Sequence, residues 1–65
     1  MNMINLNKAD EKGLMKIIHI GKVRAKLIIE QRKNKLFRDI YELSIIPGLG
    51  KKRMKDIINQ KNIIV

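Results

Sequence analysis

The chain contains no cysteine, which excludes disulfides and thiolate metal sites alike. It has no tryptophan, one phenylalanine (Phe37) and one tyrosine (Tyr41). A core must therefore be built from isoleucine and leucine, and single-stranded bases would find almost nothing to stack on. Histidine occurs once, as His19, and no pair of carboxylates is spaced to converge. Acid–base catalysis has little to work with, so no enzymatic activity is expected. No apolar run exceeds a few residues, far short of a membrane span. Met1 to Lys8 lack the apolar stretch of a signal peptide. The most telling scarcity is acid: six Asp and Glu stand against fifteen Lys and Arg, for a net charge of +9 on 65 residues. That imbalance points to a polyanionic partner, nucleic acid first and an acidic membrane surface second. A membrane surface would call for one long amphipathic helix, and the apolar spacing here gives only short ones.

What is present has the pattern of a small helical domain. Met3, Ile4 and Leu6 make an extended lead-in. Asn7 stands as an N-cap, with Asp10 in the capping-box place, for a first helix over about 8–16 whose apolar face is Leu14, Ile17 and Ile18. Gly13 inside it costs about 1 kcal/mol of helix propensity and marks a close contact. Ala25, Ile28, Ile29 and Arg32 recur at i, i+3, i+4, i+7, predicting a second helix over about 22–33. Leu36 and Phe37 form a connection whose apolar side chains are expected to plug one end of the core. Asp39 caps a third helix, with Glu42 completing its capping box, and that helix must end before Pro47. A last helix over about 51–60 buries Met54, Ile57 and Ile58. The apolar tail Ile63 to Val65 needs something to dock on.

Between the last two helices lies Ile46-Pro47-Gly48-Leu49-Gly50-Lys51-Lys52-Arg53. A proline and two glycines turn the chain sharply, with Gly48 and Gly50 free to take positive φ. The next helix starts at once, so unpaired amides face the turn beside three basic residues. That is the composition of a phosphate clamp. The stretch has a counterpart. Sliding the chain by 29 positions sets Leu14 on Leu43, Ile17 on Ile46, Gly21 on Gly50 and Lys22 on Lys51. It also sets Arg24 on Arg53, Lys26 on Lys55, Ile28 on Ile57, Ile29 on Ile58 and Gln31 on Gln60. Half of positions 14–31 are thus identical to positions 43–60. Two units of this kind, about 7–34 and 38–61, are expected to stack about a pseudo-two-fold axis within one domain, 1–65. The expected fold is all-α, with four to five short helices and both turns on one side.

The pattern hydrophobic-Pro-Gly-hydrophobic-Gly followed by a basic helix resembles the helix-hairpin-helix motif. The tandem form, led in by Ile4-Asn5-Leu6-Asn7-Lys8-Ala9 and joined through Phe37, resembles the domain of the ComEA family of competence DNA receptors over nearly the whole chain. The resemblance implies binding of double-stranded DNA without sequence preference, hairpin amides holding phosphates on either side of the minor groove. It carries over to Gly48, Gly50, Lys51 and Lys52 in the second hairpin. In the first it carries over to His19, Gly21, Lys22 and Val23, the last through its amide. The repeated basic residues Arg24, Arg53, Lys26 and Lys55 join them as candidate contacts. Some such hairpins seat a monovalent cation on their carbonyls, although nothing in this sequence demands a cofactor. In the ComEA family the domain follows a membrane anchor. A free-standing chain would work in the cytoplasm, and one trimmed from an anchored parent outside it.

The first hairpin departs from the pattern, since Ile18-His19 replaces Pro47-Gly48. If the turn needs positive φ, histidine adopts it at a cost. The first hairpin is therefore expected to be strained or reshaped, a poorer cradle than the second. The His19 ring either donates to a phosphate or stands in solvent. A protein-interaction module that kept the fold and lost DNA is the competing reading, to be favoured by an exposed apolar tail.

Overall fold

A computed structural model describes residues 2–65. Leu6, Leu14, Ile17, Ile28, Leu43 and Ile57 are its largest fully buried side chains. Around this nucleus run β1 (Ile4–Asn5), α1 (Glu11–Leu14), α2 (Lys22–Asn34), a 3₁₀ helix (Ile40–Ile45), α3 (Lys51–Gln60) and β2 (Ile63–Ile64). Each fully buried Leu or Ile contributes about 1.5–3 kcal/mol, which a domain this small needs.

The core obeys the sequence repeat. Leu14, Ile17, Ile20, Ala25 and Ile28 are all buried, and so are Leu43, Ile46, Leu49, Met54 and Ile57, their counterparts 29 positions on. Ile4, Leu6 and Phe37 complete the buried set from the lead-in and the connection. Leu36, expected beside Phe37 in the core, is instead 61% exposed.

Two of the expected elements form differently. The first helix is shorter than 8–16, and its N-cap is Asp10, whose Oδ1 accepts from the Gly13 amide at 2.8 Å. Asn7 is not a cap. Its side chain meets the Phe37 backbone twice, Nδ2 donating to the carbonyl at 2.9 Å and Oδ1 accepting from the amide at 2.8 Å. A carboxamide matches a peptide group in both donor and acceptor, so this tertiary use takes precedence over capping. A Cβ at Gly13 would lie 3.2 Å from that Asp10 oxygen, so the close contact there is with its own cap. The other difference is at the ends of the chain. The lead-in and the tail pair as parallel strands, Ile4 with Ile63 and Asn5 with Ile64, within an otherwise helical fold. Arg32 holds the lead-in from the other side, donating to the Leu6 and Ala9 carbonyls.

The remaining elements follow the sequence closely. α2 and α3 begin where the spacing put them. Asp39 caps the 3₁₀ helix by accepting from the Glu42 amide, and Glu42 reaches back to the Arg38 amide, one residue before the usual capping-box donor. The helix closes at Ile45, with Ile46 extended ahead of Pro47. No helix is long and apolar enough to cross a membrane among the described residues.

Candidate nucleic-acid interface

The two hairpins have the same backbone. In the second, the Ile46 amide donates to Leu43, the Leu49 amide to Ile46 and the Met54 amide to Gly50. In the first, Ile17 donates to Leu14, Ile20 to Ile17 and Ala25 to Gly21, the same bonds 29 positions earlier. Gly48 has φ +88 and His19 has φ +68, both left-handed. Of the two expected outcomes, strain or reshaping, the histidine hairpin shows the first: its hydrogen bonds are kept and His19 holds the left-handed φ.

Gly21 and Gly50 do a different job. Both are extended N-caps, so neither is glycine for the sake of positive φ. A Cβ on either would meet no atom within 4 Å. Each glycine leaves open space in front of the helix it starts, and neither α2 nor α3 has a side-chain cap. The other two helices are capped by Asp10 and Asp39. The pair of helix starts left bare is the pair that follows the hairpins, and an uncapped start presents unpaired N–H groups and the positive end of the helix dipole.

The basic residues surround these openings. Lys22, Lys51, Lys52 and Arg53 are exposed at the two helix starts, and Lys26 and Lys55 are exposed one turn further on, in line with Lys22 and Lys51. The acids are mostly occupied elsewhere: Asp10 and Asp39 cap helices, Glu42 holds the Arg38 amide and Glu30 pairs with Lys33 at 3.2 Å. Among the described residues Lys33 is the one lysine or arginine within ion-pair distance of an acid. Among the described residues, no ion pair neutralises the lysines and arginines at the hairpins.

Arg24 behaves differently from its neighbours. Its Nη1 donates to the His19 carbonyl at 3.1 Å and its Nε to the Pro47 carbonyl at 3.1 Å, so one guanidinium ties both turns together. Arg53 makes the matching bond in its own hairpin, Nη1 to the Gly48 carbonyl at 2.8 Å. Three hairpin carbonyls thus take arginine donors supplied by the chain itself. Arg24 is half-buried, a strut more than a free contact.

His19 has a use that neither sequence reading anticipated. Its Nε2 lies 2.8 Å from Asp56 Oδ2 on α3, so the ring is held against that helix and does not stand free in solvent. Gln60, one turn beyond Asp56 on the same helix, accepts from the Ile18 amide at 2.8 Å and donates to the Lys16 carbonyl at 3.2 Å. Sequence reasoning missed both braces. The Gln31–Gln60 identity was a signal for the second; Asp56, aligned with Leu27, gave none.

Among the described residues no group of three or more His, Asp and Glu is placed to hold a metal ion. The description of the helix-hairpin-helix motif matches residues 1–60. The chain belongs to the helix-hairpin-helix family. Proteins with this motif are generally associated with sequence-independent DNA binding. Comparison with curated proteins and with solved structures gave no match.

Proposed function

We propose that this helix-hairpin-helix chain binds double-stranded DNA without regard to sequence, as a binding module and not an enzyme. The amides at the starts of α2 and α3 take phosphates on either side of the minor groove, with Lys22, Lys51, Lys52 and Arg53 reaching further phosphates and Lys26 and Lys55 reinforcing the field. The observation that carries this reading is the selective lack of caps: both hairpin helices start bare at an open glycine, and the other two do not. Phosphate contacts of this kind fix position and read no bases.

Units over about 7–34 and 38–61, related by a pseudo-two-fold axis, would place the clamps as a pair. The repeated hydrogen bonds and burial support this, and so does the strut, since one guanidinium reaches both turns. Turns that close suit the narrow groove, about 6 Å wide, better than the major groove at about 12 Å. The resemblance to ComEA receptors favours DNA uptake as the process, with repair or recombination as the other candidates.

The test is the salt dependence of binding to two duplexes of unrelated sequence. Log affinity should fall linearly with log salt, by about 0.9 for each phosphate neutralised, and equally for both duplexes. Salt-independent affinity, or no binding at low salt, would sink the reading. A protein-interaction module is the second reading, favoured by Leu36, Tyr41 and Ile45, which stand 61%, 62% and 55% exposed on or beside the 3₁₀ helix. The tail offers it less, since Ile63 is half-buried against the core and Ile64 and Val65 remain 42% and 45% exposed.

A further inference from the structure

The surface between the two hairpins is not uniformly basic. Gly21, Lys22, Val23, Arg24 and Leu27 at the start of α2 face Pro47 of the second hairpin across a shallow depression of about 420 Å³. Val23 is 74% exposed there and Leu27 37%. The position matching Val23 in the second unit is Lys52, so a charged residue is tolerated at that point of a hairpin helix and the first unit has an apolar one. Arg24 crosses the depression, but its Nη1 and Nε are spent on the His19 and Pro47 carbonyls. The result is an apolar strip of Val23, Leu27 and Pro47 flanked by Lys22 and by the second clamp. An exposed apolar strip between cationic rims fits a ligand that is anionic at its edges and apolar between them.

We infer that this strip selects deoxyribose over ribose: it packs on the sugar edges of a DNA minor groove and disfavours double-stranded RNA. The inference rests on the reading of the chain as a duplex-binding module. Between the phosphate rows of DNA the groove wall is sugar C–H. The minor groove of an RNA duplex displays a row of 2′-hydroxyls instead. The strip has no side-chain donor or acceptor in Val23, Leu27 or Pro47 to meet a hydroxyl, and covering one without a partner is unfavourable. The lysines would attract both duplexes alike, and the spacing of the clamps favours the narrow groove in the natural protein and in a Val23 variant equally, so the share that belongs to the strip is what changes when Val23 is replaced.

The experiment measures affinity for a DNA duplex and an RNA duplex of the same length and sequence, at one salt concentration, for the natural protein and for Val23→Ser. Val23 is exposed enough for the variant to fold, which its helical circular dichroism checks, and serine keeps the backbone amide while adding a hydroxyl. The natural protein should prefer DNA by about tenfold. Val23→Ser should weaken DNA binding by about threefold and hold or strengthen RNA binding, so that the ratio narrows. Equal affinity of the natural protein for the two duplexes would overturn the inference while leaving duplex binding intact. A parallel loss on both duplexes in Val23→Ser would overturn it too, by making the strip a general contact. Failure of the natural protein to bind duplex DNA at all would remove the underlying reading as well.

Discussion

The two hairpins reach one backbone by two routes. In the second, the conformation is built into the residues: Pro47 fixes φ and Gly48 takes φ +88 without a side chain to resist it. In the first, Ile18 and His19 have no such preference, and a left-handed histidine costs about 1 kcal/mol. Tertiary braces make up the difference. Gln60 holds the Ile18 amide and Asp56 meets the His19 ring, in addition to the arginine bond that both hairpins have, Arg24 to His19 and Arg53 to Gly48. Pro47 has no amide hydrogen, so the first brace has no counterpart in the second hairpin. A hairpin made by local preference forms wherever its sequence is placed, whereas a braced one depends on α3 being docked against it. The charges differ as well. The second hairpin is followed by Lys51, Lys52 and Arg53, all exposed, with Arg53 also donating to its own turn at Gly48. The first is followed by Lys22, an apolar Val23 and an arginine committed to the turns, with Asp56 close by.

The largest effect should come from closing the openings. Gly50→Asp supplies the missing cap, so the protein should become more stable by about 0.5 kcal/mol. The same carboxylate would occupy the amides and repel phosphate, lowering DNA affinity by about a hundredfold. Gly21→Asp should stabilise equally but cost only about tenfold in binding, because the first clamp has less free positive charge around it. Urea unfolding and titration of a DNA duplex read the two signs separately, with Lys12→Ala as a control that should move neither much. Equal losses from the two aspartates would show that the hairpins share binding evenly. A stabilised protein that still bound DNA fully would mean that the amides are not the clamp.

Gly48→Ala comes next. It meets two obstacles, the left-handed φ and the Arg24 guanidinium, whose Nη2 would collide with the new Cβ. The expected loss is about 2 kcal/mol in urea unfolding. In an Arg24→Gln background the steric part should shrink, leaving about 1 kcal/mol for the backbone. The double-mutant cycle therefore measures how far the second hairpin also leans on its neighbour. Strict additivity would show that Arg24 moves aside freely and is no strut.

This difference between local and tertiary causes also decides what could be read from the chain. α2, α3, the Asp39 cap and the Pro47–Gly48 turn rest on residues within a few positions of one another, and each lay open in the sequence. Asn7 looked like a cap because its local context permits one; its partner Phe37 is 30 residues away. The pairing of Ile4 with Ile63 joins the two ends of the chain, and the expected all-α fold had no place for it. His19 and Asp56 are separated by 37 residues, and no local pattern links them. The repeat was the one long-range signal available. It located both hairpins and their lysines, and it carried the inner face of the core as well. It was silent where the units differ, since a comparison of equivalents cannot show how Leu27 and Asp56, or Ile18 and Pro47, are used unequally.

The smallest effect tests the braces themselves. His19→Gly removes the left-handed penalty of about 1 kcal/mol. It also removes the pair with Asp56, worth less than about 1 kcal/mol at an exposed site, and adds glycine's freedom to the unfolded chain. The terms nearly cancel, so stability should stay within about 0.5 kcal/mol of the natural protein. The partner separates the contributions. Asp56→Ala should cost about 0.5 kcal/mol when His19 is present and nothing when glycine has replaced it. If Asp56→Ala costs the same in both backgrounds, the carboxylate is not bracing the ring, and the first hairpin holds its left-handed histidine by Arg24 and Gln60 alone.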